Sequence, residues 1–339
     1  MFIPVSGAAG IWGPSCRACA ELAASEINQR SGIHGKELVL SFQDSGGTPD
    51  TVAAVADRLV GIGLVDALVG MHTSDVRQTL SKIVNGRIPF VYTPLYEGGN
   101  QSPGVYCIGE TPAQQLLPAL DWMHDRYRVT KWYLLGHDYI WPRMIHECAY
   151  RHLRGSSQEI VGAKLIPFSQ NDYEQELEEI RQSKCDAVLV SLVGQGSVFF
   201  NRAFGQAGLS DNILRLSCAV EENMLLGIGQ GNTDGLFVTG GYFSSVDSHR
   251  NQSFRERYHQ YFDGESPPLN TMGQSVYEGV HFLTTLLSPS FSRNRPPPHP
   301  VPLKGGRQAV YQGSAVRLPS MYIAEAQGFN FQIRQRCVL

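Results

Sequence analysis

Cys16-Arg17-Ala18-Cys19 is the one close pair among seven cysteines, which stand at 16, 19, 107, 148, 185, 218 and 337. Thiols at this spacing can exchange electrons or supply half of a metal site. Here they fall inside a helical pattern, one turn apart on one face, and no second pair or nearby histidine completes a site. Two thiols packed in a helix are therefore favoured over a redox or metal pair. Gly194-Gln195-Gly196 has the small residues of a phosphate loop, but it lacks the Lys-Ser/Thr of a P-loop and the full dinucleotide pattern. The chain has no Gly-x-Ser-x-Gly and no His-Glu-x-x-His. The expectation is no catalytic residue, no metal ligand and no cofactor. Cys218 is the thiol that leaves an amide-processing enzyme open as the lesser alternative.

A different chemistry is written at the ends of the short apolar runs. They finish in Gly70-Met71-His72-Thr73-Ser74, Tyr92-Thr93-Pro94-Leu95-Tyr96, His137-Asp138-Tyr139-Ile140-Trp141, Gly194-Gln195-Gly196-Ser197 and Ser217-Cys218-Ala219. These segments supply hydroxyls and flat rings with few charges, which suits a small neutral ligand that hydrogen-bonds between aromatic walls. Taken singly, each has a plain structural reading: a packed Tyr or Trp with one hydrogen bond, a structural His72, a turn or cap at Asp138. Their recurrence at successive run ends carries the functional reading.

The elements that position these residues alternate. Strand-like runs at 3–5, 36–43, 65–69 and 88–92 are separated by helical patterns at 15–30, 51–61 and 76–84. The pattern restarts with helices at 112–127, 144–153, 172–182, 198–207 and 224–228, and strands at 131–136, 159–166, 187–193, 213–217 and 236–242. Helices at 252–262 and 272–287, a Pro-rich stretch and a strand pair at 321–326 and 329–334 follow. Strands alternating with helices of about a dozen residues predict parallel, doubly wound α/β sheets, and ligands of such sheets bind off the carboxyl ends of the strands.

Composition sets the bounds. The chain has 339 residues, 42% of them hydrophobic and 17% charged, with a net charge of −3. That length suits two lobes of about 150 residues each. The absence of a Lys/Arg run gives direct nucleic-acid binding no footing. No apolar run reaches the roughly 18 residues that span a bilayer, so membrane insertion is not expected. Met1 leads directly into a strand-like run with no signal-peptide pattern. The chain is expected to be periplasmic if a leader is missing from it, and cytoplasmic if Met1 is the true start.

Several segments together resemble a known family. They are Ala23-Ala24-Ser25-Glu26-Ile27-Asn28 with Gly32-Ile33-His34-Gly35, Tyr92 to Gly98 with Ser102-Pro103, Gly136-His137-Asp138-Tyr139-Ile140-Trp141-Pro142-Arg143, and Tyr242-Phe243-Ser244-Ser245-Val246-Asp247. From about residue 3 to 290 the chain is similar to type I periplasmic binding proteins of the branched-chain amino acid, amide and urea class, and it looks most like amide sensors and urea-transporter binding components. The resemblance implies two lobes, 1–110 with 245–318 and 111–244 with 319–339, joined by a three-strand hinge with a ligand cleft between them. It places His72, Ser74, Tyr92, Pro94, Tyr139, Trp141, Gly194 and Cys218 at ligand-binding positions. His72 and Trp141 stand where the amide sensor has aromatic residues of other types, and Cys218 where it has a hydroxyl. Pro296 to Pro302 replaces the usual helix-rich return. Amino-acid binders place an acidic residue near the Cys218 position, whereas Cys218-Ala219-Val220 is neutral and Glu221 and Glu222 follow. A short amide or urea is therefore favoured over a branched-chain amino acid. The implied role is non-catalytic solute binding by hinge closure, with an ABC permease or a regulatory protein as partner.

Overall fold

The computed structural model describes residues 1–99, 102–289, 291 and 297–339. Up to Glu110 the elements are β1 (Phe2–Ile3), α1 (Gly13–Asn28), β2 (Gln43–Asp44), α2 (Pro49–Gly61), β3 (Leu68–Gly70), α3 (Ser74–Val84), β4 (Phe90–Tyr92) and β5 (Val105–Cys107). The chain continues with α4 (Pro112–Tyr127), β6 (Lys131–His137), α5 (Ile140–Leu153), β7 (Glu159–Ile166) and α6 (Glu174–Ser183). Then come β8 (Ala187–Ser191), α7 (Gly194–Gln206), β9 (Leu214–Ser217), α8 (Glu222–Ile228) and β10 (Leu236–Gly240). The last elements are α9 (His249–Tyr261), α10 (Thr271–Leu286), β11 (Val301–Pro302), β12 (Val310–Gln312), β13 (Ala315–Arg317), β14 (Ser320–Gln327) and β15 (Asn330–Val338). Among the described residues no helix is long and apolar enough to cross a membrane.

The chain divides into two compact units, Met1–Glu110 with Asp247–Pro319, and Thr111–Val246 with Ser320–Leu339. The first holds a parallel sheet in the order β2-β1-β3-β4-β5 and a small antiparallel sheet, β11-β12-β13. The second holds a seven-stranded sheet in the order β15-β14-β10-β9-β8-β6-β7. In it β6 to β10 are parallel, and the β14-β15 hairpin joins β10 antiparallel. Every residue of β3, β4, β5, β8 and β10 is buried. That is why these strands read as short continuous apolar runs and not as alternating ones: helices cover both faces of a parallel sheet.

Two expectations need correction. The strand expected over 36–43 is reduced to Gln43 and Asp44, which pair with Phe2 and Ile3. The preceding stretch alternates, but its backbone is tied elsewhere: Asn28 both accepts from the Leu38 N–H and donates to the Leu38 carbonyl. The first strand stops at Ile3 because Pro4 has no N–H to continue a ladder, and the Val5 N–H is donated to Asp44 Oδ1 at 2.8 Å. The Pro-rich return is in part a sheet. Pro296 lies outside the described residues, but Val301–Pro302 forms the edge strand of the three-stranded sheet, where a proline is tolerated.

The close cysteine pair sits in a helix seam. Cys16 and Cys19 are fully buried, and α1 crosses α10 so closely that a Cβ on Gly273 would lie 2.2 Å from Ser15 Oγ and 3.0 Å from Cys19 Sγ. Burial raises the Cys19 thiol above its ordinary range, which suits packing and disfavours a reactive thiolate.

One buried charge cluster ties the first unit together. Arg307 donates to Glu278 Oε2 at 2.8 Å, to the Ile108 carbonyl at 2.7 Å and to Glu110. Gln274 Nε2 donates to the other Glu278 oxygen at 2.6 Å. One guanidinium thus serves two carboxylates, on α10 and on the segment after β5, from the stretch leading into β12. Burial raises the Glu278 carboxyl, while Arg307 opposes that shift. Removing the cation would leave two buried carboxyl groups without a counter-charge. Arg307→Met is expected to destabilise the protein by about 3–5 kcal/mol, measured by urea denaturation; a loss below about 1 kcal/mol would show that the cluster is not structural.

Candidate functional site

Both parallel sheets have the same strand order. In each, the first strand lies between the second and the third, so the helices following the first and third strands leave on opposite faces. The crevice this creates at the carboxyl ends is the general ligand position of doubly wound sheets. In the first unit it lies at the ends of β1 and β3, and in the second at the ends of β6 and β8. Met71 to Ser74 follow β3, Asp138 and Tyr139 follow β6, and Leu192 to Gly194 follow β8.

In the first unit His72, Ser74 and Tyr92 come together. Tyr92 Oη donates to the His72 carbonyl at 2.8 Å, and Ser74 hydrogen-bonds to the same phenol. Burial pushes that phenol up, so it stays a neutral donor. The Arg77 guanidinium lies 5.4 Å from the Tyr92 ring centroid and pairs with Glu97 at 2.6 Å. His72 is buried, 4% exposed. A Cβ on Gly70 would lie 2.4 Å from His72 Nε2, so the imidazole fills the space that the glycine leaves over the sheet, beside Phe90 and Tyr92. Its Nδ1 donates to the Thr73 carbonyl at 3.1 Å. Pro94 is buried after β4, and a Cβ on Gly109 would come within 2.0 Å of its carbonyl oxygen.

In the second unit Tyr139 is the N-cap residue of α5 and Trp141 stands in that helix's first turn. Trp141 is 2% exposed, and its Nε1–H has no partner among the described residues. The Tyr139 ring lies 5.0 Å from Phe168, on which His137 stacks at 4.5 Å. Gly194, with φ +56°, opens α7; the Gly194-Gln195-Gly196 segment is therefore a helix start and not a free loop. The Val193 N–H donates to His137 Nδ1 at 3.1 Å, which leaves the His137 proton on Nε2, over Gly196. Cys218 is buried beyond β9, and burial raises its thiol. Glu221, 4% exposed, is the N-cap residue of α8.

Sequence reading missed Phe168, which follows β7 with no periodic signal around it, and the contact of Ser191 with His146. Those two side chains are buried, with Ser191 Oγ 3.0 Å from His146 Nε2. Ser191 donates its proton to the Leu135 carbonyl at 3.2 Å, so the ring N–H donates to the hydroxyl. That polarity is the reverse of a nucleophile and its base.

One feature unites the helices that carry the expected residues. α3, α5 and α7 all start at a strand's carboxyl end, and none has a side-chain hydrogen bond at its N-cap, as is also true of α1 and α6. By contrast, α2, α9 and α10 are capped by Thr48, Ser248 and Asn270. An uncapped start presents free N–H groups and the positive end of the helix dipole, which favours a ligand with acceptor oxygens.

Residues 1–293 match the family described as Periplasmic binding protein. The chain belongs to that family. Its fold is that of type I periplasmic binding proteins: a solute-binding protein of an ABC transporter from R. palustris, in complex with benzoate, superposes with a TM-score of 0.84 at 16% identity, covering 99% of this chain and 95% of that one. A branched-chain amino acid transporter substrate binding protein from Streptococcus pneumoniae, in complex with isoleucine, gives 0.80 at 16% identity, covering 100% and 99%. In sequence, 95 residues are 30% identical to Leu/Ile/Val-binding protein homolog 3 of Brucella melitensis, 28% of this chain and 26% of that protein. This binding protein thus spans about a quarter of the length of the curated relatives it matches.

The buried histidines of this binding protein make its stability depend on pH. Burial lowers His72, His137 and His146 from 6.5 to about 4 each. The unfolded chain then takes up protons that the folded one refuses, so the contribution is fully present above pH 6.5 and is lost as pH falls toward 4. Each ring should contribute a slope of about 1.4 kcal/mol per pH unit within that window. Denaturation midpoints measured across it should fall steeply, and His72→Phe should flatten the dependence; a flat wild-type profile would refute the assignment.

Proposed function

We propose that this chain is a non-catalytic receptor for a small polar solute, a short-chain amide or urea, working as the substrate-binding component of an ABC transporter or as a ligand sensor. The observation that carries the reading is the set of helix starts α3, α5 and α7, which have no side-chain caps, with the buried, unpartnered Trp141 N–H beside one of them. These groups are donors without formal charge. A carbonyl oxygen satisfies them, and the Ser74 hydroxyl and Tyr139 offer further neutral hydrogen-bonding groups. Hinge closure on the ligand would shift the population toward the closed form, and a permease or a regulatory protein would read that form. The three chain crossings are the proposed hinge.

Catalysis finds no support. The Cys218 thiol is raised by burial, and the Ser191 hydroxyl is polarised away from His146. Sustained turnover of acetamide or urea in a steady-state assay would overturn this part of the reading.

A branched-chain amino acid is the second reading. It is favoured by the burial of Glu221 at the N-cap of α8, since a buried ammonium requires an anion. Calorimetry separates the two. On the amide reading, acetamide or urea binds more tightly than leucine, and Glu221→Gln changes that affinity less than about threefold, because no buried charge faces it. Micromolar-range leucine binding abolished by Glu221→Gln would establish the amino-acid receptor instead.

Trp141 tests the donor set. Trp141→Phe removes the N–H and keeps most of the ring volume. Amide affinity should fall about tenfold, the worth of one hydrogen bond, while stability changes by less than about 1.5 kcal/mol. An unchanged affinity would place the indole in the core alone.

A further inference from the structure

A cationic cavity of about 520 Å³ opens in the first unit, away from the strand ends that hold the candidate residues. Its wall is built from the C-terminal end of α1, the N-terminal half of α9 and the segment between β11 and β12. Arg30, Arg250, Arg257 and Lys304 line it, with His249, against the single carboxylate of Glu26. The chain as a whole carries −3, so four cations around one cavity run against its overall balance.

The fold accounts for only part of this charge. Glu26 accepts from Arg257 at 2.9 Å, from Tyr277 Oη at 2.6 Å and from His281 Nε2 at 3.2 Å. Burial opposes its ionisation, but these bonds hold its carboxyl down at about 2. Arg250 donates to the Arg307 carbonyl at 3.0 Å. Two cations are therefore held in place by the protein. The Arg30 guanidinium and the Lys304 ammonium form no hydrogen bond or ion pair with any described residue. Both act on His281, whose basicity is lowered first by burial and further by Lys304 and Arg30, with Glu26 opposing. The field in the cavity is positive, and two of its sources are unneutralised. Guanidinium forks and an ammonium around one opening match the oxygens of an anion with more than one charged group.

We infer that this cavity binds a small oxyanion carrying two or more negative charges, at a site separate from the one that takes the solute. Phosphoryl and carboxylate compounds share that chemistry, and the test distinguishes them. The full chain is titrated by calorimetry and thermal unfolding with inorganic pyrophosphate, with citrate, and with chloride at matched ionic strength. Saturable binding of pyrophosphate or citrate, weakening as salt is raised, is the expected result, and the tighter of the two names the source. In the double variant Arg30→Gln/Lys304→Gln, which alters two exposed side chains, the same anion should bind about tenfold or more weakly, while unfolding without anion stays as in the wild type. Non-saturable effects equal to those of chloride overturn the proposal, as does wild-type affinity in the double variant. If that variant unfolds early, Lys304→Gln alone gives the same comparison, and an affinity unchanged in it has the same meaning.

Discussion

A parallel strand cannot be joined to its neighbour by a tight turn. The chain must return to the starting edge, and a helix is the compact way to do so. That constraint organises both units. It covers the sheets with helices on both faces, buries β3, β4, β5, β8 and β10 along their whole length, and puts every strand-to-helix turn of the parallel ladders at one end of its sheet. Residues as distant in sequence as Met71 and Ile108, or Asp138 and Cys218, become neighbours of one edge because each follows a parallel strand. Candidate residues collect there without any local motif.

The alternation of strands and helices was legible because it is repeated and strongly patterned. Pro112–Tyr127 and Glu159–Ile166 fall where their periodicity placed them. The failures have particular causes. Residues 36–43 alternate like a strand, yet Asn28 takes the Leu38 backbone groups that a ladder would need. Three-residue strands such as Val105–Cys107 are too short to show any period. The candidate residues were found by their position after apolar runs, which the fold honours. What sequence could not supply was direction: His72 turns toward Gly70 because a glycine leaves room there, and nothing in its neighbours' spacing signals that.

The chemistry at the strand ends is mostly uncharged. Burial keeps His72 and His137 neutral at ordinary pH and the Tyr92 phenol protonated. Charge is moved aside into ion pairs, as with Arg77 and Glu97, or into the Arg307 cluster. Helix starts left without side-chain caps then supply the polarity.

The discontinuous make-up of the units also bears on how the chain is made. α1 buries its small-residue face against α10, and Ser15 and Asn270, which hydrogen-bond across that seam, are 255 residues apart. During synthesis the first sheet therefore emerges with one helix face bare, and it stays so until most of the chain has left the ribosome. By then α4 to β10, a contiguous stretch, can already have paired its parallel strands. The C-terminal hairpin comes last and covers the edge of β10. High sequence separation of this kind slows folding and leaves apolar surface exposed on the way, so the half that begins first is completed late, and a holdase that shields α1 would act in that interval.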